Sequence, residues 1–450
     1  MVPVHDFAAW AVSLSAFFRN TPLAYSCPMQ HRSPTPLNVC VLGAGIAGLA
    51  TAWQLHRDGH AVTVVDSAQA GSGASAANGA QLSYAYVQPL ADPGIWAQLP
   101  KLLLSSNSPL KFKPQMDPQQ WAWGLRFLAA CRASVSRNTT ASLLELAAES
   151  RAAFDRLVAQ EGIDCDFSTT GKLVLYPDEA GFAAARRQMA LQRSLGSVQH
   201  ALSPAEAVAI EPALAGYAPR FAGAIHTPGE CAADCLKVCL ALQQLLQARG
   251  VRFMFNTPVT RLVQNNGRIV SAQTSGGPIE ADAFVVALGS GSPQLARPLG
   301  LDVPVYPLKG YSITVPAGTA APSVNVTDIS RKVVFARIGE RLRVAGMAEL
   351  VGHDLSIDPG RIASLKASVR EVFPHLPEHA EVNPWAGLRP ATPTGLPVLG
   401  RVRGSPANLF FNTGHGALGF TLAFGSAERV AREVAASFRP AAAGLAACSA

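Results

Sequence analysis

Three glycines and one acidic residue have the spacing of a dinucleotide-binding turn. Gly43, Gly45 and Gly48 give the pattern G-x-G-x-x-G, and Asp66 follows about 20 residues later. The first glycine permits a sharp turn, the second lets the backbone approach a pyrophosphate, and the third lets a helix pack closely on a strand. Asp66 can accept hydrogen bonds from ribose hydroxyls, and its charge repels a 2′-phosphate. The pattern therefore predicts a ligand that contains ADP, either NAD or FAD, rather than NADP.

The residues around these glycines predict the elements that must hold them. Residues 39–42 and 61–65 are short apolar runs, typical of parallel strands buried on both faces. An amphipathic helix between them would direct its N-terminal amides at the phosphates. The cofactor-binding residues that this unit predicts are Val39, Cys40, Val41, Leu42, Gly43, Ala44, Gly45, Ile46, Ala47, Gly48 and Asp66.

A segment with few large side chains follows this unit. Residues 71–83, GSGASAANGAQLS, are mostly small or polar. Taken alone, the segment would be a flexible loop. Directly after a dinucleotide unit, its backbone amides could reach a pyrophosphate and a ring system, with Ser75 and Asn78 as side-chain donors.

The composition favours a globular protein with a well-filled core. The chain has 450 residues, of which 49% are hydrophobic and 15% charged. Its net charge is +7, but no block of lysine and arginine is dense enough to indicate nucleic acid. No apolar run reaches the length of a membrane span. Residues 1–37 precede the first strand, and we expect an extension outside the core rather than a signal peptide, since no basic segment precedes their apolar patch.

The eight cysteines lack any paired C-x-x-C spacing. Cys231, Cys235 and Cys239 repeat every four residues, which predicts that they lie along one helix face. Further metal ligands are not evident near them, so we interpret them as buried thiols and expect no metal. This usage fits a reducing compartment, and we expect a cytoplasmic protein.

The rest of the chain predicts a second contribution to the first sheet and a separate antiparallel sheet. Apolar runs at 251–255 and 279–292 could complete the parallel sheet, whereas residues 303–382 alternate as antiparallel strands do. Residues 89–130 mix aromatic and basic residues. Trp121, Trp123 and Phe127 there would either face a membrane surface or form the packed face of a helix, and we prefer the packed helix.

Seven motifs occur in consistent order along the chain: VLGAGIAGLATAW, SAANGAQLS, FNTPV, YPLKGYS, RLRVAGMAE, WAGLRPATPTGLPVLG and NTGHGALGFT. With them the chain resembles the D-amino acid oxidase-like flavoenzyme superfamily, and within it the FAD-containing small subunit of the bacterial D-amino acid dehydrogenases. One departure is Asn78-Gly79-Ala80, where the family usually has Asn-Ala-Gly.

The resemblance implies an α/β (α+β) fold. A Rossmann-like FAD-binding domain, discontinuous in sequence, would combine with an antiparallel-sheet substrate domain. We predict FAD-binding parts at residues 38–90, 221–300 and 384–437, substrate parts at 91–220 and 301–383, an extension at 1–37 and a tail at 438–450.

The resemblance also implies oxidative deamination of D-amino acids, typically D-alanine, to 2-oxo acids and ammonia. The cofactor would be FAD, and we expect it to be non-covalent because residues 391–400 contain no cysteine. Electrons would pass to a quinone or another acceptor than oxygen. The expected partners are thus a D-amino acid and a quinone, with possible peripheral contact with the cytoplasmic face of the bacterial inner membrane and without nucleic acid. The oligomeric state stays open.

Three residues are candidates for the chemistry. Arg389, in GLRP, matches the arginine that binds the substrate carboxylate, since a guanidinium fork suits a carboxylate. Tyr311 would either donate to that carboxylate or be a sheet tyrosine. His415 would sit against the flavin ring or cap the following helix, whose N-terminal dipole would stabilise a reduced, anionic flavin. Further cofactor contacts are predicted at Gln81, Val259, Gly289, Gly346, Gly414, Gly416 and Gly419.

Two other functions stay open at this point. One is an oxygen-using oxidase of glycine, sarcosine or another secondary amine on the same fold. The other is a flavin-fold binding subunit without turnover, against which Arg389 argues, because a scaffold does not need a carboxylate-binding fork beside the flavin.

Overall fold

The computed structural model describes residues 36–96, 110–193, 197–377 and 382–439. One sheet of this part of the chain has six strands, which are β1 Asn38–Leu42, β2 Ala61–Val65, β9 Arg252–Met254, β13 Ala283–Val286, β19 Val398–Gly400 and β20 Leu409–Thr413. Their order is β19-β20-β13-β1-β2-β9, parallel except for the β19–β20 pair. Distant segments thus complete the sheet that β1 and β2 begin, as the sequence predicts.

The turn after β1 requires its glycines. Gly43 has φ +116°, and a Cβ there would lie 2.7 Å from the carbonyl carbon of Ala287. A Cβ on Gly48 would lie 2.9 Å from the carbonyl carbon of Gly43. Helix α1, Ile46–Arg57, can therefore pack directly against the turn and β1. The predicted strand–turn–helix–strand unit is confirmed.

A second, larger sheet consists mainly of antiparallel strands. They are β4 Leu110–Phe112, β5 Lys172–Tyr176, β6 His200–Leu202, β7 Gly223–Thr227, β14 Tyr306–Pro316, β15 Asn325–Asp328, β16 Val333–Ile338, β17 Arg341–Leu350 and β18 Asn383–Ala391. Their order is β18-β14-β17-β16-β15-β5-β7-β6, with β4 also paired to β17. Two pairs are parallel, β15 with β5 and β17 with β4. The predicted antiparallel sheet is confirmed. The domain boundaries stay a prediction, and β7 and β18 join this sheet from segments assigned above to the FAD-binding part.

Two smaller sheets complete the strands of the described residues. One is an antiparallel meander of β10 Val259–Asn265, β11 Arg268–Thr274 and β12 Gly277–Ile279. The other pairs β3, Gln81–Leu82, with β8, Cys231–Ala232.

Helices cover the outer faces of both large sheets. They are α1, then α2 Pro118–Ala130, α3 Ala133–Glu161, α4 Glu179–Arg193, α5 Pro204–Ile210, α6 Cys235–Ala248, α7 Ser292–Ala296, α8 Pro359–Val372 and α9 Gly419–Ser437. Local sequence fixes several starts. The Ser203 side chain accepts from the Glu206 amide, and the Glu206 carboxylate accepts from the Ser203 amide, which is the capping box that the sequence predicts. Asp234 caps α6 through its carboxylate, which accepts from the Leu236 amide at 3.0 Å.

Two predictions on single residues are partly wrong. Cys231 lies in β8 and not on the helix that carries Cys235 and Cys239, although all three thiols are buried. In α2, Trp123 is buried, stacks on Phe127 and donates its indole N–H to the Ala391 carbonyl at 2.8 Å. Trp121 is half exposed instead, so only part of the aromatic segment is packed.

Among the described residues, no helix is both long and apolar enough to cross a bilayer. The predictions for residues 1–35 and 440–450 lie outside the described residues.

Candidate active site

A cavity of about 740 Å³ lies between the carboxyl ends of the parallel strands and one face of the large sheet. It brings together many residues that the sequence predicts: Gly45, Ile46, Ala47, Asp66, Ser75, Asn78, Gln81, Gly289, Tyr311, Gly346, Arg389, His415, Gly416 and Gly419. Other predicted residues do not line it: Val39, Cys40, Val41, Leu42, Gly43, Ala44, Gly48, Val259 and Gly414. Most of the residues outside the cavity lining belong to β1 and to the turn that supports α1.

The glycine turn forms one end of this cavity. Gly45 precedes α1, and a Cβ on it would meet only the Ser75 hydroxyl, at 3.6 Å, so its missing side chain leaves open space on the cavity side. The Ser75 hydroxyl accepts from the Ile46 amide at 3.1 Å. No other side chain of the described residues caps α1. Backbone amides and the positive end of the helix dipole therefore face this end of the cavity.

Asp66 stands beside that turn at the end of β2. Its carboxylate accepts from the Ala44 amide at 2.6 Å and from the Ala68 amide at 2.9 Å. The Thr257 amide donates to its carbonyl at 2.8 Å, which brings the segment before Val259 next to the acid. Two amides fix the carboxylate, and Oδ1 also accepts from the Ser67 hydroxyl at 3.5 Å, so Oδ2 is the oxygen that retains a lone pair for a ribose hydroxyl.

The small-residue segment after β2 is held against the large sheet by hydrogen bonds from three side chains. Ser312 of β14 donates to the Ala77 carbonyl at 2.7 Å, and Arg343 of β17 donates to the Asn78 carbonyl at 2.9 Å. The Gln81 amide donates to the Phe335 carbonyl at 3.2 Å. Gln81 thus serves to anchor the segment, while the backbone around Asn78 lines the cavity.

Arg389 projects into the cavity from β18. Its Nη1 donates to the Met347 carbonyl of β17 at 2.8 Å. No ion pair to Arg389 occurs among the described residues. Burial lowers the pKa of the guanidinium to about 10, so it stays charged at neutral pH. An enclosed cation without a carboxylate partner can bind an anionic group of a ligand.

Gly310 makes room for this guanidinium. Strand β18 pairs with β14, and a Cβ on Gly310 would lie 2.5 Å from Cζ of Arg389. Any larger residue at position 310 would displace the guanidinium. The glycine in the motif YPLKGYS therefore positions Arg389, which sequence reasoning did not identify.

Tyr311 follows Gly310 and lines the cavity, but its side chain packs into the core on the other face of the sheet. Its hydroxyl donates to the Glu349 carboxylate at 3.0 Å, and Glu349 also accepts from Arg361 of α8 at 2.7 Å. The ring belongs to the core between the sheet and α8. These contacts favour the sheet tyrosine of the two interpretations, and its contact with substrate stays a prediction.

His415 lies between β20 and α9 and is 3% exposed. Its Nε2 is 2.9 Å from the Ser426 hydroxyl, and its side chain does not cap the following helix. Burial lowers its pKa to about 4, so the imidazole is neutral at neutral pH. The helix N-terminus at Gly416–Leu418 and Gly419 lines the cavity, with no acidic residue in the first turn of α9.

Several lining residues are missed by sequence reasoning. They include Ser83, Tyr86, Lys172, Gly310, Met347 and Trp385. They are ordinary strand or loop residues in the sequence, and only the pairing of distant strands brings them to one wall.

The cavity fits FAD. Its volume lies within the range of cofactor sites, about 300–1,000 Å³. Gly45 leaves the space that a pyrophosphate needs, the amides of α1 have no competing acidic cap, and Asp66 can meet a ribose. The remaining part, lined by Arg389, Gly346 and the start of α9, would take the flavin and its substrate.

Comparisons with known proteins agree with this geometry. The family model described as FAD dependent oxidoreductase matches residues 38–433. The chain is 47% identical to D-amino acid dehydrogenase 2 of Ralstonia nicotianae, over 89% of this chain and 96% of that protein. It is 46% identical to D-amino acid dehydrogenase 2 of Pseudomonas aeruginosa, over 88% and 94%.

Among solved structures, glycine oxidase from Geobacillus kaustophilus has the same fold. The TM-score is 0.71 at 24% identity, over 89% of this chain and 94% of that one. The match to the family model covers almost all of the described chain, and the cavity carries the features that such a cofactor needs. The chain therefore belongs to the family of FAD-dependent oxidoreductases.

Proposed function

We propose that this protein is a D-amino acid dehydrogenase, which oxidises D-amino acids such as D-alanine to 2-oxo acids and ammonia. The observation that carries the proposal is Arg389, an enclosed guanidinium without an ion pair among the described residues, in the same cavity as the FAD-binding turn. An α-carboxylate would complete it as a bidentate pair. The names of the relatives at 46–47% identity support the D-amino acid as substrate.

The residues of the cavity would act by binding and orientation. Arg389, held by the Met347 carbonyl and seated over Gly310, would fix the carboxylate and thereby the position of Cα. The glycine turn and Asp66 would hold FAD, which would supply the acceptor for the hydride from Cα, and the imino acid so formed would hydrolyse in water. The amine lone pair drives hydride departure, so a strong base is not required. This chemistry is compatible with the contacts of the other two candidates. The Tyr311 hydroxyl donates to Glu349, and the neutral His415 is hydrogen-bonded to Ser426.

Steady-state kinetics with both enantiomers test this function. The purified holoenzyme should reduce an artificial quinone-like dye with D-alanine and leave L-alanine unreacted. Equal rates with the two enantiomers would contradict it. Peroxide yield distinguishes the dehydrogenase from the competing oxidase. Stoichiometric peroxide with glycine or sarcosine would support an oxygen-using oxidase instead.

We further propose that the electron acceptor is a quinone and that the protein meets it at a membrane surface. The support is an apolar rim beside the cavity, formed by Leu90, Trp96, Met116, Trp121, Leu125 and Leu355, all exposed. Leu90 and Leu355 also line the cavity. The side-chain amide of Gln115, the residue before Met116, donates to the Val351 carbonyl at 2.7 Å. This bond connects the segment that carries Met116 to the segment that carries Leu355. Large apolar side chains that are exposed near one another are typical of interaction sites.

Basic residues near the rim favour an anionic bilayer as its partner. Lys113, Arg132 and Arg137 are exposed, and none has an ion pair among the described residues. Each such cation near an anionic surface is worth about 1 kcal/mol. Contact there would lie on the cytoplasmic face of the inner membrane and bring a bilayer-dissolved quinone to the cavity entrance.

Vesicle sedimentation tests the membrane contact. The protein should bind vesicles that contain phosphatidylglycerol, and Trp121→Ser with Leu125→Ser should weaken binding at least fivefold. Leu240→Ser changes an exposed leucine of α6 away from the rim and serves as the matched control. Equal binding of the double variant, or an equal loss in the control, would contradict the proposal.

A further inference from the structure

A buried lysine that the proposed reaction does not use lies in the cavity wall. Lys172 of β5 is 2% exposed, and its Nζ donates to the Ser83 hydroxyl at 2.9 Å. The same nitrogen is 4.3 Å from the centre of the Tyr86 ring, a cation–π distance. Lys172, Ser83 and Tyr86 all line the cavity.

The charge of Lys172 is only partly compensated. No carboxylate among the described residues lies within 4.0 Å of it. Glu230 is the acidic group that acts on it from beyond that distance, and Glu230 accepts from the Ala85 amide at 2.7 Å and the Tyr86 amide at 3.2 Å. Burial lowers the pKa of Lys172 to about 8, with Glu230 opposing, so the amine is mostly protonated at pH 7.

Lys172 is also close to the start of α9. The Ser83 amide donates to the Thr421 hydroxyl at 3.1 Å, and Thr421 belongs to the first turn of that helix. Ser83 therefore joins the ammonium to the helix N-terminus by two hydrogen bonds. The positive end of the helix dipole and the lysine charge act on the same region of the cavity.

The charged side chains among the described lining residues are Asp66, Lys172, Lys332 and Arg389. Asp66 belongs to the glycine-turn end, where the ADP part of FAD fits. The region left for the flavin ring thus has cations and a helix N-terminus around it, without an acidic lining residue in the described chain. In a site of low dielectric, such charges act over several ångströms.

We propose that Lys172 is a redox-tuning residue, whose charge stabilises the reduced, negatively charged flavin and so raises the reduction potential of the bound FAD. The proposal rests on FAD binding in this cavity and not on which amino acid is oxidised. Lys172 would act together with the N-terminus of α9. Arg389 would be left to the substrate carboxylate.

Two variants of the holoenzyme test this proposal at pH 7. Lys172→Gln removes the charge but retains an N–H donor for Ser83, whereas Lys172→Arg retains the charge. Sulfite is the probe, because it adds to oxidised flavin through its lone pair and leaves the ring negatively charged. We expect Lys172→Gln to bind sulfite about tenfold more weakly and to lower the two-electron potential by about 30 mV, the equivalent of tenfold.

Lys172→Arg should retain the sulfite affinity to within about twofold, and its potential should change by no more than that factor corresponds to. If Lys172→Gln does not retain FAD, Lys172→Met replaces it in both measurements, because a buried methionine needs no hydrogen-bond partner. Unchanged sulfite affinity and potential in the neutral variant would overturn the proposal, and so would an equal change in Lys172→Arg, since the effect would then come from packing. Neither measurement uses an amino acid, so failure here is distinct from failure of the proposed substrate.

Discussion

Arg389 is the residue that we propose to bind the carboxylate of the amino acid substrate. Replacing it with alanine removes a charge-assisted pair in an enclosed site, which costs about 2–5 kcal/mol. We therefore expect Arg389→Ala to raise the KM for D-alanine at least about 30-fold. Steady-state kinetics at equal FAD content provide the measurement.

Arg389→Lys is the matched control for charge. It retains the cation and loses the fork, so its KM should lie between those of the wild type and Arg389→Ala. An Arg389→Ala variant with full FAD content and the wild-type KM would show that the carboxylate binds elsewhere.

The buried imidazole of His415 should make stability depend on pH. Burial lowers its pKa from 6.5, the ordinary value of a solvated histidine, to about 4, so the fold favours the neutral form. Its contribution to stability is then complete above about pH 6.5 and is lost as the pH falls toward 4, by about 3 kcal/mol in total. Urea unfolding from pH 7.5 to 4.5 measures this.

His415→Gln cannot titrate and retains a polar group for Ser426. Its unfolding free energy should fall less than that of the wild type across this pH range. Parallel curves for the two proteins would contradict a buried, neutral His415.

Residues were predictable where a motif fixes their chemistry. Arg389 is recognisable from GLRP and does project into the cavity. The roles of Lys172 and Gly310 depend on long-range strand pairing. Gly310 meets Arg389 only because β14 pairs with β18, and Lys172 lies on β5, which is five positions from β18 in the sheet order and more than 200 residues from it in sequence. A lysine in an apolar run gives no such signal.

At the scale of elements, the turn between β1 and α1 separates two uses of glycine. Gly48 is needed for folding, because a Cβ would overlap the backbone of Gly43. Gly45 has an ordinary backbone conformation, φ −74° and ψ 175°, and open space beside it. We expect Gly45→Ala to fold normally but to bind FAD at least about tenfold more weakly, since its methyl group would occupy the pyrophosphate position.

Gly48→Ala is the contrasting variant and should lose soluble, folded protein. Circular dichroism of the apoprotein and FAD titration by fluorescence distinguish the two effects. A Gly45→Ala protein with normal FAD affinity would place the pyrophosphate away from this turn.

Local patterns predicted these elements well. The doubly buried strand, the glycine turn and the Ser203 capping box follow from neighbouring residues, and each is present in the structure. The alternating pattern of residues 303–382 predicted antiparallel strands but not their partners. The same pattern cannot indicate that β18 would join β14, or that Tyr311 would point toward α8, because register is a long-range property.

For the whole molecule, the cavity depends on both large sheets at once. The parallel sheet supplies the glycine turn and Asp66, and the antiparallel sheet supplies Arg389 and Lys172. The start of α9 closes the same space. The cavity of about 740 Å³ between them is large enough for the site of an FAD-dependent oxidoreductase. One end fits the dinucleotide, and the other end fits the flavin ring and the substrate.

An anaerobic titration of flavin absorbance with D-alanine and then L-alanine tests the central claim most directly. Without oxygen or a quinone, electrons that leave the substrate stay on the flavin, so its visible absorbance reports the first half of the reaction alone. We predict full bleaching by stoichiometric D-alanine and unchanged absorbance with L-alanine. A flavin that D-amino acids leave oxidised, or that both enantiomers bleach equally, would contradict a D-amino acid dehydrogenase.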